Sequence, residues 1–347
     1  MNRGFPKDIL MSLASFARVR FTQAPTPLHL LPRLSAELGG PDIYIKRDDN
    51  TGLALGGNKT RKLEFLIGDA LQKGATHIVT QGATQSNHVR QTIAAANRHG
   101  LRTTVLLEER VSGAHEDYYR NGNVLLDQIL GAAAIETRPA GLDMNAELLT
   151  VGERLRAAGE LPYLIPGGGS NAIGALGYVV AAHEIIEQAD AAGLRIDQVV
   201  HATGSTGTQA GLVAGFEAAN SHIPVLGISV RAPRDRQEAN VRKLARETWA
   251  LLHARGEFPD DAVQANADYV GGGYGVPTEA MVDAVHLLAR TEGILLDPVY
   301  SGKGFAGLVD LVRKGRFRKG QNIVFVHTGG AVGLFAYRDT FAPAPAF

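Results

Sequence analysis

The sequence predicts an α/β protein built on open, mainly parallel sheets flanked by helices, and three observations carry that prediction. Short apolar, β-branched runs alternate with stretches of helical periodicity, the pattern of strand–helix–strand units. The loops richest in glycine and hydroxyl residues follow strands and precede helices, which is where such sheets bind ligands. The 347 residues exceed what one compact core usually holds, so two domains or one elaborated unit are expected.

The elements follow in order. "DIYIKRDD" (42–49) reads as a strand ending in acids, and after Lys59 the residues Leu63, Leu66, Ile67, Ala70 and Leu71 keep helical spacing. "HIVT" (77–80) is a strand, "QGATQSN" (81–87) a loop, His88 to His99 a helix and "TTVLLEE" (103–109) the returning strand of one βαβ unit. A second unit starts at "DQVVHA" (197–202), turns through "TGSTGT" (203–208), runs as a helix from Gln209 to Ala219 and returns as "VLGISV" (225–230). Met281, Ala284, Val285 and Leu288 mark a later helix, and "NIVFVHTGG" (322–330) contains the last strand. Met11 makes residues 1–10 a candidate leader, and "APAPAF" (342–347) reads as a disordered end.

Composition narrows the function. Lysine plus arginine and aspartate plus glutamate number 35 each, so no net field draws the chain to nucleic acid or an anionic membrane, and a small molecule is the expected partner. The absence of cysteine removes disulfides, thiolate metal sites and a cysteine nucleophile, and fits a reducing, cytoplasmic home. No apolar run reaches the ~18 residues of a membrane span. The eleven histidines show no H-x-x-x-H or H-x-H spacing, so no metal site is expected, and no G-x-S-x-G elbow occurs. "RAPRDRQ" and "VRKGRFRKG" read as solvated surface.

Several loops could carry chemistry. "ATGSTGTQAG" (202–211) is either a tight turn or a cradle for an anion, because small residues bare their amides at a helix start. Its glycine spacing matches neither a dinucleotide fingerprint nor a phosphate-binding Walker loop. In "QSNH" (85–88), Ser86 or Asn87 either caps the following helix or helps to hold a carboxylate or a ring oxygen. "VYSGKG" (299–304), "HTGG" (327–330) and "GGGYGVP" (271–277) are turns taken singly, the last a loop with one packed tyrosine, Tyr274. Lys59 follows a glycine pair, and a cation in a first helical turn is mildly unfavourable. Desolvated near other cations, here Arg61 and Lys62, it would have a lowered pKa and act as an amine nucleophile.

Together, "KRDD…GGNKTRKLEF", "QSNHVRQT", "GSTGTQAGL", "GYGVPT", "LLDPVYSGK" and "HTGG" resemble the D-cysteine desulfhydrase and 1-aminocyclopropane-1-carboxylate deaminase group of pyridoxal-phosphate enzymes, in family order from about Phe16 to Tyr337. The resemblance implies the tryptophan-synthase-β-like fold (fold type II): a larger domain of residues 1–55 and 170–347, a smaller inserted one of 56–169, and pyridoxal 5'-phosphate in the cleft between them. It implies that Lys59 forms the internal Schiff base and that Asn87 bonds the ring hydroxyl. Thr203, Gly204, Ser205, Thr206, Gly207 and Thr208, helped by Lys62, would cradle the phosphate. Ser86 and the amides around it, Asn87 and His88, would hold the substrate carboxylate, and Tyr274 and Tyr300 would flank the substrate. A homodimer is implied as well.

Within that group the deaminases typically carry Glu and Leu where this chain has Ser301 and Thr328, and hydroxyls at both places match the desulfhydrases. A neutral hydroxyl near the pyridine nitrogen gives a weaker electron sink than a carboxylate, which suffices for a good leaving group. The implied reaction is β-elimination from a sulfur-bearing amino acid, D-cysteine first. L-cysteate sulfo-lyase, a relative in the same group, is the alternative, since "DDNTGLALGGNKTRKLEF" and "PGGGSN" resemble it as much. Deamination of 1-aminocyclopropane-1-carboxylate comes third. A nucleotide-binding module and a silent cofactor-binding scaffold are readings from other classes.

Overall fold

The structure is a computed structural model that describes residues 4–341. The first stretch comprises α1 (Lys7–Ser15), β1 (Leu28–Leu30), α2 (Pro32–Leu38) and β2 (Asp42–Lys46). A middle stretch runs through α3 (Lys59–Gln72), β3 (His77–Ala83), α4 (Asn87–Asn97), β4 (Arg102–Glu109), α5 (Glu116–Arg120), α6 (Asn123–Ile129), β5 (Ala134–Pro139), α7 (Met144–Ala157) and β6 (Pro162–Ile165). The last holds α8 (Ala172–Ala191), β7 (Gln198–Thr203), α9 (Gly207–Ala218), β8 (Val225–Ser229), α10 (Arg234–Leu251), β9 (Val263–Asn266), α11 (Glu279–Glu292), α12 (Ser301–Arg313), β10 (Asn322–Val326) and α13 (Arg338–Phe341).

These strands form two open sheets. One has six strands in the order β1-β2-β10-β7-β8-β9, all parallel except β1, and the other has four parallel strands in the order β5-β4-β3-β6. Parallel strands must be covered on both faces, and β3 and β7, each flanked by neighbours, are buried at every residue. Helices α8 and α9 pack against each other and share a core with the six-stranded sheet, and both are apolar nearly all round. Their contacts are close because glycine permits it: a Cβ on Gly211 would lie 2.3 Å from the Ala175 carbonyl, and one on Gly177 would lie 2.3 Å from the carbonyl of Arg61. The second contact presses α8 against α3, the helix that begins at Lys59.

The structure moves some expected boundaries. β3 continues through Gln81 to Ala83, which pairs with Glu108, so the loop into α4 shrinks to Thr84–Ser86. The first described residues pack with the fold, since Phe5 and Ile9 are buried in the core with α8 and α9. The expected disordered tail, 342–347, lies outside the described residues.

Candidate functional site

The carboxyl ends of β3 and β7 and the start of α3 converge on one cleft. It is lined by Asn58, Lys59, Asn87, Ala202, Gly204, Ser205, Thr208, Tyr300, Thr328 and Gly329, and is tight, with about 20 Å³ of free volume. A larger cavity of about 380 Å³ beside Tyr118 and Tyr337 carries none of the expected site residues.

Lys59 is the first residue of α3, and its ammonium donates to Asn58 Oδ1 at 2.8 Å. Desolvation pulls its pKa down to about 8, with Asp297 opposing and Arg90 assisting. At pH 7 roughly one-tenth of such an amine is neutral, against fewer than about one in a thousand for an ordinary lysine. Of the expected helpers, Arg61 points away into an ion-pair cluster while Lys62 is coupled to Lys59, and Arg90 is a further cation that acts on Lys59. Asn58 links two parts of the cleft, since its Nδ2 donates to Thr208 Oγ1 at 2.9 Å while its oxygen receives Lys59. Its backbone amide reaches the Thr328 carbonyl at 3.0 Å.

The loop between β7 and α9 presents bare amides. Those of Gly204, Ser205, Thr206 and Thr208 donate to no group of the described chain, whereas the Gly207 amide reaches Ser170 Oγ at 3.1 Å. Lys62, one turn along α3 from Lys59, donates to the Gly168 carbonyl at 3.0 Å beneath this loop, and burial and then Lys59 hold its pKa well below the usual lysine value. Thr203 corrects the expectation: its hydroxyl accepts from Gln237 Nε2 at 2.9 Å and does not line the cleft. Thr206 stands at the N-cap of α9 without making a side-chain cap.

Opposite, Ser86 caps α4 by accepting from the Val89 amide at 3.2 Å, which leaves its O–H free to donate. The amides of Asn87 and His88 have no partner in the described chain. Asn87 Oδ1 is taken by Arg90 and Asn123, so its NH₂ faces the cleft. The His88 ring bonds Thr80 at 2.8 Å, so the residue offers a ligand in the cleft its backbone amide, as expected, and not its side chain. Burial, with Lys59 and Lys62 nearby, keeps that imidazole neutral by lowering its pKa well below the usual value.

Tyr300 enters the cleft, and its hydroxyl meets that of Tyr274 at 2.6 Å. Burial raises both pKa values, so both hydroxyls stay protonated. Lys303 anchors the glycine loop that carries Tyr274, donating to the carbonyls of Val270 and Gly273 at 2.7 and 2.8 Å. Ser301 is a second correction. Its hydroxyl donates to Asp297 Oδ1 at 2.6 Å and accepts from the Asp297 amide at 2.8 Å, so it does not line the cleft, and Thr328 is the only one of the pair that does. Asp297 also accepts from the amides of Val299 and Tyr300, both at 2.9 Å, which fixes the turn that presents Tyr300. Sequence reasoning missed Asn58, Arg90, Asn123, Ser170, Asp297 and Lys303. Only Asp297 had a local signal, an Asp-Pro ahead of a helix start.

Known proteins share this arrangement of chain. A family model described as "Pyridoxal-phosphate dependent enzyme" matches residues 19–329. The chain is 46% identical over 334 residues to a D-cysteine desulfhydrase of Salmonella typhimurium, covering 94% of this chain and 98% of that one. It is 47% identical over 335 residues to that of Salmonella paratyphi C, with the same coverage. A crystal structure of an ACC deaminase homologue superposes with a TM-score of 0.85 at 42% identity, covering 96% of this chain and 98% of that one. A threonine deaminase from T.th. shares the fold alone, with a TM-score of 0.61 at 20% identity over 93% of this chain and 97% of that one.

Proposed function

The chain belongs to the family of pyridoxal-phosphate-dependent enzymes and has their type II fold; from that premise we propose that it catalyses β-elimination from a sulfur-bearing amino acid, D-cysteine first, to pyruvate, sulfide and ammonia. The observation that carries this reading is a desolvated lysine with a lowered pKa, facing a helix start whose amides are unpartnered. The residues fit the cofactor in kind: the bare amides from Gly204 to Thr208 suit a phosphate, and Asn87, Thr328 and Lys59 supply two polar contacts and an amine. The near-full-length likeness to two D-cysteine desulfhydrases supports the substrate.

When bound, the cofactor supplies an aldehyde for amine exchange and a ring that takes up the electron pair left at Cα. The chain's residues do the rest. Lys59, free to lose its proton near neutral pH, takes the α-proton. Ser86 Oγ and the amides of Asn87 and His88 hold the substrate carboxylate. Asn87 Nδ2 would hold the ring hydroxyl, and Thr328 Oγ1 the ring nitrogen. Tyr300, backed by Tyr274, faces the departing sulfur and is placed to donate a proton to it. A division into residues 1–55 with 170–347 and residues 56–169 agrees with the confinement of the four-stranded sheet to 77–165. We place the enzyme in the cytoplasm as a homodimer. A cysteine-free chain supports the first, as does the finding that no helix among the described residues is long and apolar enough to cross a membrane. The second rests on the family resemblance.

One observation favours L-cysteate as a second substrate. The Arg110 guanidinium lies 5.4 Å from the Tyr274 ring centroid, and among the described residues only its Nε is engaged, by Glu108. Its terminal nitrogens are free to meet a sulfonate. An assay for pyruvate over D-cysteine, L-cysteate, L-cysteine and 3-chloro-D-alanine, and for the four-carbon keto acid over 1-aminocyclopropane-1-carboxylate, tests the proposal. Turnover of D-cysteine is expected, and pyruvate from none of the sulfur substrates overturns the reading.

A further inference from the structure

Behind Asn87 lies a buried cation that the reaction does not consume. Arg90 sits one turn further along α4 and is fully buried. Its Nη1 donates to Asn87 Oδ1 at 3.1 Å and to Asn123 Oδ1, and its Nη2 donates to the Gly56 carbonyl at 2.9 Å. Asn123 Nδ2 gives Asn87 Oδ1 a second donor at 2.9 Å. An asparagine amide has one acceptor end and one donor end. With two donors on Oδ1, a flip would set NH₂ against N–H groups and lose both bonds. Asn87 Nδ2 makes no bond within the described chain.

The other arm reaches the turn before Lys59. Gly56 has φ +70°, and a Cβ there would lie 1.9 Å from the Asp49 carbonyl, so this turn is available only to glycine. Its carbonyl, three residues from Lys59, is held by Arg90. One guanidinium thus ties the expected ring-hydroxyl contact to the reactive lysine's turn. The carboxylate that acts on it, Asp127, lies one turn beyond Asn123 on α6. Both Asp127 oxygens and Arg90 Nε are buried without a hydrogen-bond partner. Burial pushes the Asp127 carboxyl up to about 8 and pulls Arg90 down to about 10. Arg90 is therefore weakly neutralised and its field reaches the cleft, where it lowers the pKa of Lys59.

We infer that Arg90 is a positioning residue that locks Asn87 with its NH₂ towards the ring hydroxyl and holds the Gly56 turn in the same grip, an assignment that rests on the cofactor placement proposed above. Lysine cannot replace it, because a single ammonium cannot span three acceptors in a fixed fork.

The test uses the full-length holoenzyme and reads the visible absorption of the bound cofactor, which reports the state of the ring hydroxyl without any substrate. Asn87→Ala should shift intensity from the visible to the near-ultraviolet band. Arg90→Lys should reproduce the direction of that shift and lower kcat roughly 10–100-fold, the range seen when an outer partner that orients a ligating group is lost, while KM changes less than about threefold. In the Asn87→Ala background Arg90→Lys should add clearly less spectral change than it makes in the native protein, because the Asn87 contact is shared and only the Gly56 tether is left to lose. Asn123→Ser removes the second tether and should shift the band in the same direction, which keeps the test decisive if Arg90→Lys does not fold. A native spectrum in Arg90→Lys or, failing that protein, in Asn123→Ser overturns the inference, as does an undiminished shift in the double variant. An unchanged spectrum in Asn87→Ala instead removes the ring-hydroxyl assignment, and the inference with it, whatever the pyruvate assay shows.

Discussion

Helix α3 withdraws three cations from bulk water within four residues, and its two faces treat them in opposite ways. Arg61 is matched on every side. It bonds Asp48 at 2.8 Å through two nitrogens and Glu184 at 2.9 and 3.0 Å, while Tyr178 and Lys46 complete the carboxylates. Burial opposes its charge, but Asp48 and Glu184 outweigh that and raise its pKa. Lys59 and Lys62, on the cleft side, have only neutral oxygens as hydrogen-bond partners, and desolvation lowers both pKa values. All three are desolvated neighbours on one helix, so the counter-ions make the difference. A buried cation with carboxylates braces α3 against α8. A desolvated cation without them is held ready to give up a proton or meet an anion.

The sharpest break of this contrast is Lys59→Ala. Turnover should fall by more than about 10³-fold, the scale for losing the group that moves the proton. Borohydride treatment of the native holoenzyme, followed by peptide mapping, should leave the cofactor on the Lys59 peptide and nowhere else. Stability of the apoprotein should not fall, because an unmatched desolvated charge is removed. A label on any other lysine would falsify the assignment.

The matched face predicts the reverse. Arg61→Met should destabilise the protein by about 3–5 kcal/mol, the cost of stranding buried carboxylates, measured by denaturant unfolding monitored at two probes. Residual enzyme at low temperature should still bind cofactor. If Arg61→Met costs no more than a surface substitution, the ion-pair cluster does not brace α3.

Parts of this contrast were legible in the sequence. Lys59 and the Gly204–Thr208 loop stood out because small residues, hydroxyls and a lysine gather where helices start, whereas the roles of Tyr274 and Tyr300 came only from the family resemblance. The division of labour on α3 could not, since Asp48 and Glu184 meet Arg61, and Asp297 comes near Lys59, only through tertiary packing. The same limit explains His88 and Ser301. Each neighbours a residue that lines the cleft, but the helical turn rotates its side chain away, onto Thr80 in one case and Asp297 in the other. Helix α8 escaped because it is buried nearly all round and has no polar stripe to set a period, and β1, β6 and β9 are only three or four residues long.

Ser301 sharpens the comparison further, because it lies against a carboxylate in a fully buried place. Beside the ring nitrogen, the deaminase glutamate at this position would strengthen the electron sink. In the structure, Ser301→Glu sets a second carboxylate against Asp297 and removes the hydroxyl that caps it. The expected outcome is a loss of roughly 2–4 kcal/mol from overpacking and like charge, with no gain in ring opening of 1-aminocyclopropane-1-carboxylate. Thermal unfolding and a pyruvate-free ketoacid assay on that substrate check both parts. A stable variant that opens the ring efficiently would show that the side chain at 301 can reach the cofactor after all.

The smallest expected effect lies at Thr208, where the two roles of the cleft side meet. Its hydroxyl accepts from Asn58, which in turn receives Lys59, so a residue of the proposed anion cradle is two hydrogen bonds from the Lys59 amine. Thr208→Val removes one neutral hydrogen bond to the loop and one acceptor for Asn58, a change of about 1 kcal/mol. If Thr208 serves only the phosphate, its contact is the same in ground and transition states and cannot change the chemical step. Cofactor affinity, measured by titrating the apoprotein, should then fall about fivefold, while kcat at saturating cofactor stays within about twofold of native. If saturating cofactor leaves kcat depressed tenfold, the Thr208–Asn58–Lys59 chain orients the amine. The cradle would then belong to the proton-transfer machinery, and Asn58→Ala, which cuts the same chain at its middle, should show an equal loss.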